Sequence, residues 1–280
     1  MAAGEAVKLS FSTLGCPDWS FDEIVSRAKA YGFDGVGFRG VLGELDLAKV
    51  PQFGAAEIAA TRGRLAAAGL VASMVLTSSR LIVPAAEVEA NLGLAESHID
   101  IAAALGAPYI RVFGGQFPIG LSHAAAVARA AERLHRLGDH AGARGVVVLL
   151  ETHDDFTDPA LLRRVMEATD HPAVGVLWDV HHPFRILGQP VETAHALLAP
   201  WVRSVDLKDS IADRSAPLGY RYVPIGDGDV PIAAALGCLR ADGYDGFLTF
   251  EWEKLWHPEL AAPDQAFPQF VGTLRRMLAT

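Results

Sequence analysis

The chain carries only two cysteines, Cys16 and Cys238, in 280 residues. Two thiols give no disulfide framework and no ligand spacing for a thiolate zinc site. Basic surplus is also missing: 24 Lys and Arg against 33 Asp and Glu leave a formal net charge of -9. Phosphate backbones select the opposite balance, so nucleic acid is not an expected partner. No uncharged apolar run approaches the ~20 residues that span a bilayer, and no basic stretch followed by an apolar one opens the chain. The expectation is therefore a cytoplasmic protein without a membrane partner. A G-x-G-x-x-G turn is lacking after the first apolar run, where LGCPDW stands. That counts against a doubly wound nucleotide-binding sheet.

What is present is 51% hydrophobic residues in a regular alternation of short and long segments. Apolar, β-branched runs at 7–13, 34–40, 70–77, 108–115, 145–151, 175–180, 202–209 and 247–253 read as eight strands. Between several of them lie amphipathic stretches with helix punctuation. Ser20 stands three residues before Glu23, a capping-box spacing for a helix to Tyr31 that Gly32 closes. Helices are also expected over 55–68, ending at Gly69, over 86–105, ending at Gly106, and over 122–141, with Ser122 as cap and Gly142 beyond. Asp158-Pro159 starts a shorter one. Strands alternating with helices imply parallel pairing through crossovers. Eight repeats in a chain near ~250 residues favour a closed (β/α)8 barrel, expected as one domain over 1–280.

Four of the later runs end on an acid: VVVLLE at Glu151, VGVLWD at Asp179, VRSVD at Asp206 and FLTFE at Glu251. If the strands are parallel, these acids gather at one edge, where barrel enzymes keep their active sites. Gathered carboxylates repel unless a cation sits among them, so the pattern reads as a metal site. For a single strand-end acid, capping the next helix is the simpler role, and that reading wins for Asp158 and Asp22. Oxygen donors suit Mg²⁺ or Mn²⁺, and nearby imidazoles (His153, His181, His182) shift preference toward Mn²⁺, Co²⁺ or Zn²⁺. Mn²⁺ is the expected ion.

The motifs LLETH, LWDVHH, a V-x-L-K-D strand, VPIGDGDVP and FEWE, in this order, resemble the xylose isomerase-like TIM-barrel superfamily. The resemblance covers essentially the whole chain and is strongest over 145–253. It implies Glu151 and Glu251 as metal ligands that also act as acid and base. It further implies Asp179 as a ligand, His182 as a substrate-contacting catalytic histidine, and Lys208 and Asp209 as the K-D after the strand-seven ligand. That ligand is usually histidine, and Asp206 stands there instead. Four carboxylates around one divalent ion carry an excess of negative charge. Lys208 or Arg203 could offset it, one acid could hold a proton, or Asp206 could stand aside; ligation by Asp206 is the favoured expectation.

Substrate contacts are expected from His153, Lys208, Arg221 and Trp252, with Arg39 and Arg111 as smaller candidates. Trp19, Phe113, Trp178 and Trp256 could wall a sugar pocket or simply pack. Gly226 and Gly228 suit a tight turn more than a phosphate cradle. The expected activity is isomerisation or epimerisation of a small sugar through an enediolate, the runner-up being a lyase or dehydratase of the inosose dehydratase or 3-keto-glycoside kind. A phosphodiesterase is disfavoured by the acidic balance, and a non-enzymatic binding protein stays as a further alternative. The partner is a small carbohydrate, and barrels of this class commonly pair, which leaves a homo-oligomer open.

Overall fold

The computed structural model describes residues 7–279. Eight strands close on themselves in parallel: β1 (Lys8–Ser12), β2 (Gly35–Phe38), β3 (Val71–Arg80), β4 (Tyr109–Phe113), β5 (Val147–Glu151), β6 (Val174–Asp179), β7 (Val202–Leu207) and, after a hairpin, β10 (Phe247–Phe250). β1 pairs with both β2 and β10, which shuts the barrel. The hairpin, β8 (Asp209–Ala212) with antiparallel β9 (Tyr220–Val223), stands outside the barrel order. It adds two strands to the eight expected, and it takes Asp209 out of the seventh run.

Crossovers are helical, as the strand spacing requires. They are α1 (Phe21–Tyr31), α2 (Ile58–Ala67), α3 (Val88–Leu105), α4 (His123–Gly142), α5 (Pro159–Thr169), α6 (His181–Leu187), α7 (Val191–Leu198), α8 (Ile232–Ala241) and the closing α9 (Pro263–Leu278). Ser20 and Glu23 form the capping box, and Ser122 and Asp158 cap α4 and α5. Two starts are later than the pattern suggested. Short 3-10 turns at Leu47–Lys49, Pro51–Phe53 and Ala85–Glu87 take up the residues ahead of α2 and α3. Gly142 lies inside α4 rather than after it, and Gly145 turns the chain with φ at +70°. None of the described helices is long and apolar enough to cross a membrane.

Two cores result from period-two alternation. Outward strand residues meet the helices in the large core, where Phe11, Phe250, Phe267 and Phe270 interlock. A smaller cluster of Met74, Leu76, Leu149 and Leu177 is separate from it. Beside it Ser73 donates to Ser10, which is hydrogen-bonded to Thr249. Two residues beyond Leu149, Leu177 and Thr249 come Glu151, Asp179 and Glu251. The same alternation that fills the interior with apolar and hydroxyl groups therefore aims three acids at its open end.

Candidate metal centre

Glu151, Asp179 and Glu251 are buried, and each offers an oxygen so placed that the three lie within 4.8 Å of one another. Two related groups, Glu151 with His153 and His182, and Asp179 with His181 and His182, meet the same distance. Asp206 is in none of the three groups found among the described residues. Its partners across the ladder are Asp179 on β6 and Thr249 on β10.

The acids differ in what surrounds them. Glu151 has Arg111 Nε 3.1 Å from Oε2, yet neither of its oxygens accepts a hydrogen bond of good geometry. Burial holds its carboxyl up, at about 7. Asp179 divides its labour: Oδ1 accepts the amides of His181 (2.7 Å) and His182 (3.1 Å) at the start of α6, while Oδ2 accepts no hydrogen bond and lies 2.9 Å from Lys208 Nζ. The cap and the site are one residue. Glu251 accepts from Lys208 at 2.5 Å. Burial would raise its carboxyl, but the Lys208 ammonium outweighs it and brings it down to about 2. Lys208 itself is charged: burial works against that, and Asp179, Glu251 and Glu253 overcome it. Asp206 has no cation in contact, and neither oxygen has a hydrogen-bond partner. Burial first, then the charges of Glu251, Glu151 and Asp179, push its carboxyl well above the ordinary range. It holds a proton.

The remaining expected residues fall in different places. His182 Nδ1 lies 2.9 Å from the Thr152 carbonyl, 3.4 Å from Asp179 Oδ2 and 4.0 Å from Glu151 Oε1. Burial and then Lys208 keep it neutral. His153 rests edge-on against His182, with ring centroids 4.8 Å apart, and its Nδ1 is 3.0 Å from Asp154 Oδ1. A cleft of about 340 Å³ opens above the acids, with Arg39, Arg111, His153, Glu251, Glu253 and Trp256 among its walls. Arg39 donates to Ser78 Oγ at 2.8 Å while its buried Nη1 has no partner, so one nitrogen is left to receive an oxygen.

Arg221 and Trp252 do not line this cleft; both line a neighbouring hollow between the hairpin and residues 257–261. Trp252 packs on Phe250 and donates to the Ala261 carbonyl, as its outward parity requires. Arg221 is largely exposed, 3.7 Å from Asp213. Trp19 and Trp178 pack in the core against Phe267 and His195. Arg203 bonds the carbonyls of Pro200 and Val202 at the opposite end of β7, so it offsets no charge at the acids.

Glu253, Asp154, Ser78 and Arg80 reach the cleft without having stood out in the sequence. Glu253 could have been found by parity, two residues after Glu251. Asp209 answers the glycine question. Its carboxylate accepts the amides of Gly226 (2.9 Å), Gly228 (3.0 Å) and Val230 (3.2 Å), so the cradle is filled from within the chain. A Cβ on Gly228 would stand 2.0 Å from Asp209 Oδ1. Gly228→Ala is expected to lower stability by about 1–3 kcal/mol through overpacking and lost amide bonds, read by thermal denaturation.

Comparison with known proteins follows the same lines. The family model for the xylose isomerase-like TIM barrel matches residues 25–268. No curated protein matches the chain significantly. A probable 3-DHS dehydratase involved in petrobactin synthesis in Bacillus anthracis shares 20% identity over 96% of this chain and 99% of that one, with a TM-score of 0.78. A 3-keto-D-glucoside 4-epimerase from E. coli shares 20% over 98% and 100%, at 0.75. A xylose isomerase-like TIM barrel protein from Mycobacterium smegmatis, solved in complex with magnesium, shares 21% over 99% and 98%, at 0.74. Identities this low establish a shared fold. The family match across most of the chain, on a closed barrel with its acids at the strand ends, establishes that the chain belongs to the xylose isomerase-like TIM-barrel family.

Proposed function

We propose that the chain is a divalent-cation-dependent isomerase or epimerase of a small keto-sugar. The convergence of three buried carboxylates on one point carries this reading. The residues fit a hard cation: Glu151 Oε1 and Oε2 and Asp179 Oδ2 are buried oxygens that Arg111 and Lys208 neighbour without giving them a hydrogen bond of good geometry. Glu151, Asp179 and Glu251 are the assigned ligands, with Mn²⁺ the preferred ion and Mg²⁺ next. A cation bound there supplies Lewis-acid polarisation of a substrate carbonyl.

The chain's own groups supply the proton transfers. Around the barrel, β6 and β7 separate β5 from β10, so Glu151 and Glu251 approach from different sides. One takes the proton from the carbon beside the carbonyl, giving an enediolate. The other returns a proton to a different face or a different carbon, which yields epimerisation or aldose–ketose isomerisation. Arg39 and His153, which line the cleft, are the groups assigned to substrate oxygens; Lys208 is buried against Asp179, Glu251 and Glu253. Elimination is the second reading. His153 is buried, which disfavours its charge, yet Asp154 and Glu151 raise it above its ordinary value, and it is placed to protonate a leaving oxygen.

Incubating the Mn²⁺-loaded protein with a keto-sugar panel in D2O tests both. Incorporation of deuterium with no loss of mass supports isomerase or epimerase chemistry; release of water or an aglycone supports the lyase. No exchange and no elimination across the panel counts against both.

The assigned ligand set is one acid smaller than the four-carboxylate set favoured from sequence, because Asp206 joins none of the close oxygen groups among the described residues and its carboxyl is raised by burial and by the neighbouring acids. Asp206→Asn is therefore expected to keep Mn²⁺ affinity within about threefold and thermal stability unchanged, since the amide nearly matches the carboxyl in size and the close oxygen group does not include Asp206. A loss of affinity beyond about tenfold in calorimetry would return Asp206 to the ligand set.

A further inference from the structure

Lys208 stands between two kinds of carboxylate. Its Nζ is 2.9 Å from Asp179 Oδ2 and 2.5 Å from Glu251 Oε2, and both acids belong to the three-carboxylate group. It is also 2.7 Å from Glu253 Oε1, and Glu253 belongs to no such group among the described residues. That same Glu253 oxygen accepts the Tyr222 hydroxyl at 2.9 Å. Tyr222, on β9, lies with its ring 6.0 Å from the ammonium.

An ammonium and a divalent cation on Asp179 Oδ2 and Glu251 Oε2 repel each other in a buried site, so the Lys208 ammonium competes with the ion for these oxygens. Nor can Lys208 be left alone, since a buried ammonium without a partner is costly. We infer that Glu253, braced by Tyr222, is a positioning residue that keeps the Lys208 ammonium when a divalent cation claims Asp179 and Glu251. The inference rests on the cation site proposed above. Only a small swing of the lysine end is needed, away from two oxygens while the third contact is kept. Glu253 thereby sets how tightly the site takes its ion. It also fixes where the ammonium stands relative to substrate.

Calorimetric titration with Mn²⁺ alone tests this in the parent, Glu253→Gln, Lys208→Met and the double variant. Glu253→Gln is expected to weaken Mn²⁺ binding about tenfold in the parent, and less than about twofold in the Lys208→Met background. If Glu253 acted only through its own charge, the two losses would be equal, and that result overturns the inference. Tyr222→Phe, which deletes one hydroxyl, is expected to weaken binding about two- to threefold with the fold kept, and it carries the test if Lys208→Met does not fold. An unchanged affinity in both Glu253→Gln and Tyr222→Phe likewise overturns the inference. Absence of Mn²⁺ binding by the parent is a different result, and it removes the proposed site instead.

Discussion

Glu251→Gln is expected to cut turnover by about three orders of magnitude or more, the upper part of the range for removal of a positioned acid or base. The variant keeps its fold. Glutamine retains the shape and one acceptor for Lys208, which donates to Glu251 Oε2. What it loses is the capacity to take a proton, together with a charge that attracts the cation. Circular dichroism should match the parent, with a melting temperature lowered by loss of the charge facing Lys208, while product formation falls to background at any Mn²⁺ concentration. Activity that returns at high Mn²⁺ would assign Glu251 to binding the ion and not to moving protons. Glu151→Gln should behave alike.

Lys208→Met is expected to cost about 3–5 kcal/mol of stability, as when one partner of a buried ion pair is removed. For a chain of this size that is a fall in melting temperature of roughly 5–15 °C. The methionine keeps the apolar stem but leaves Asp179, Glu251 and Glu253 facing one another without the ammonium that lies within 2.9 Å of all three. Added Mn²⁺ should recover much of the loss, because it stabilises only the folded chain. Differential scanning fluorimetry with and without Mn²⁺ reads both effects. A melting temperature unchanged by the substitution would mean that the acids do not depend on Lys208.

The same residues show why the fold was more legible than the site. Strand periodicity and helix caps are local, so Ser20, Ser122 and Asp158 could be assigned from neighbours in sequence, and the structure places all three as caps. The eight-strand count then dictated where the terminal acids meet. Contacts that depend on height inside the barrel were not legible. Asp206 ends its apolar run just as Asp179 does and pairs with it across the ladder, yet it joins none of the close oxygen groups among the described residues. Residue type suggests Trp252 as a substrate contact, whereas alternation from Glu251 requires it to face outward. The hairpin that brings Tyr222 to Glu253 left only a weak signal, since its strands are four residues each and carry mixed polarity. Part of the positive charge that the gathered acids require is the Lys208 ammonium.

Titration of Mn²⁺ into metal-stripped protein, followed by calorimetry, tests the central claim most directly when the parent is compared with Asp179→Asn. The account predicts one ion per chain in the parent and a loss of affinity of about a hundredfold or more in the variant, because the oxygen facing Glu151 and Glu251 becomes a neutral amide. No binding by the parent, or equal binding by both proteins, would contradict it.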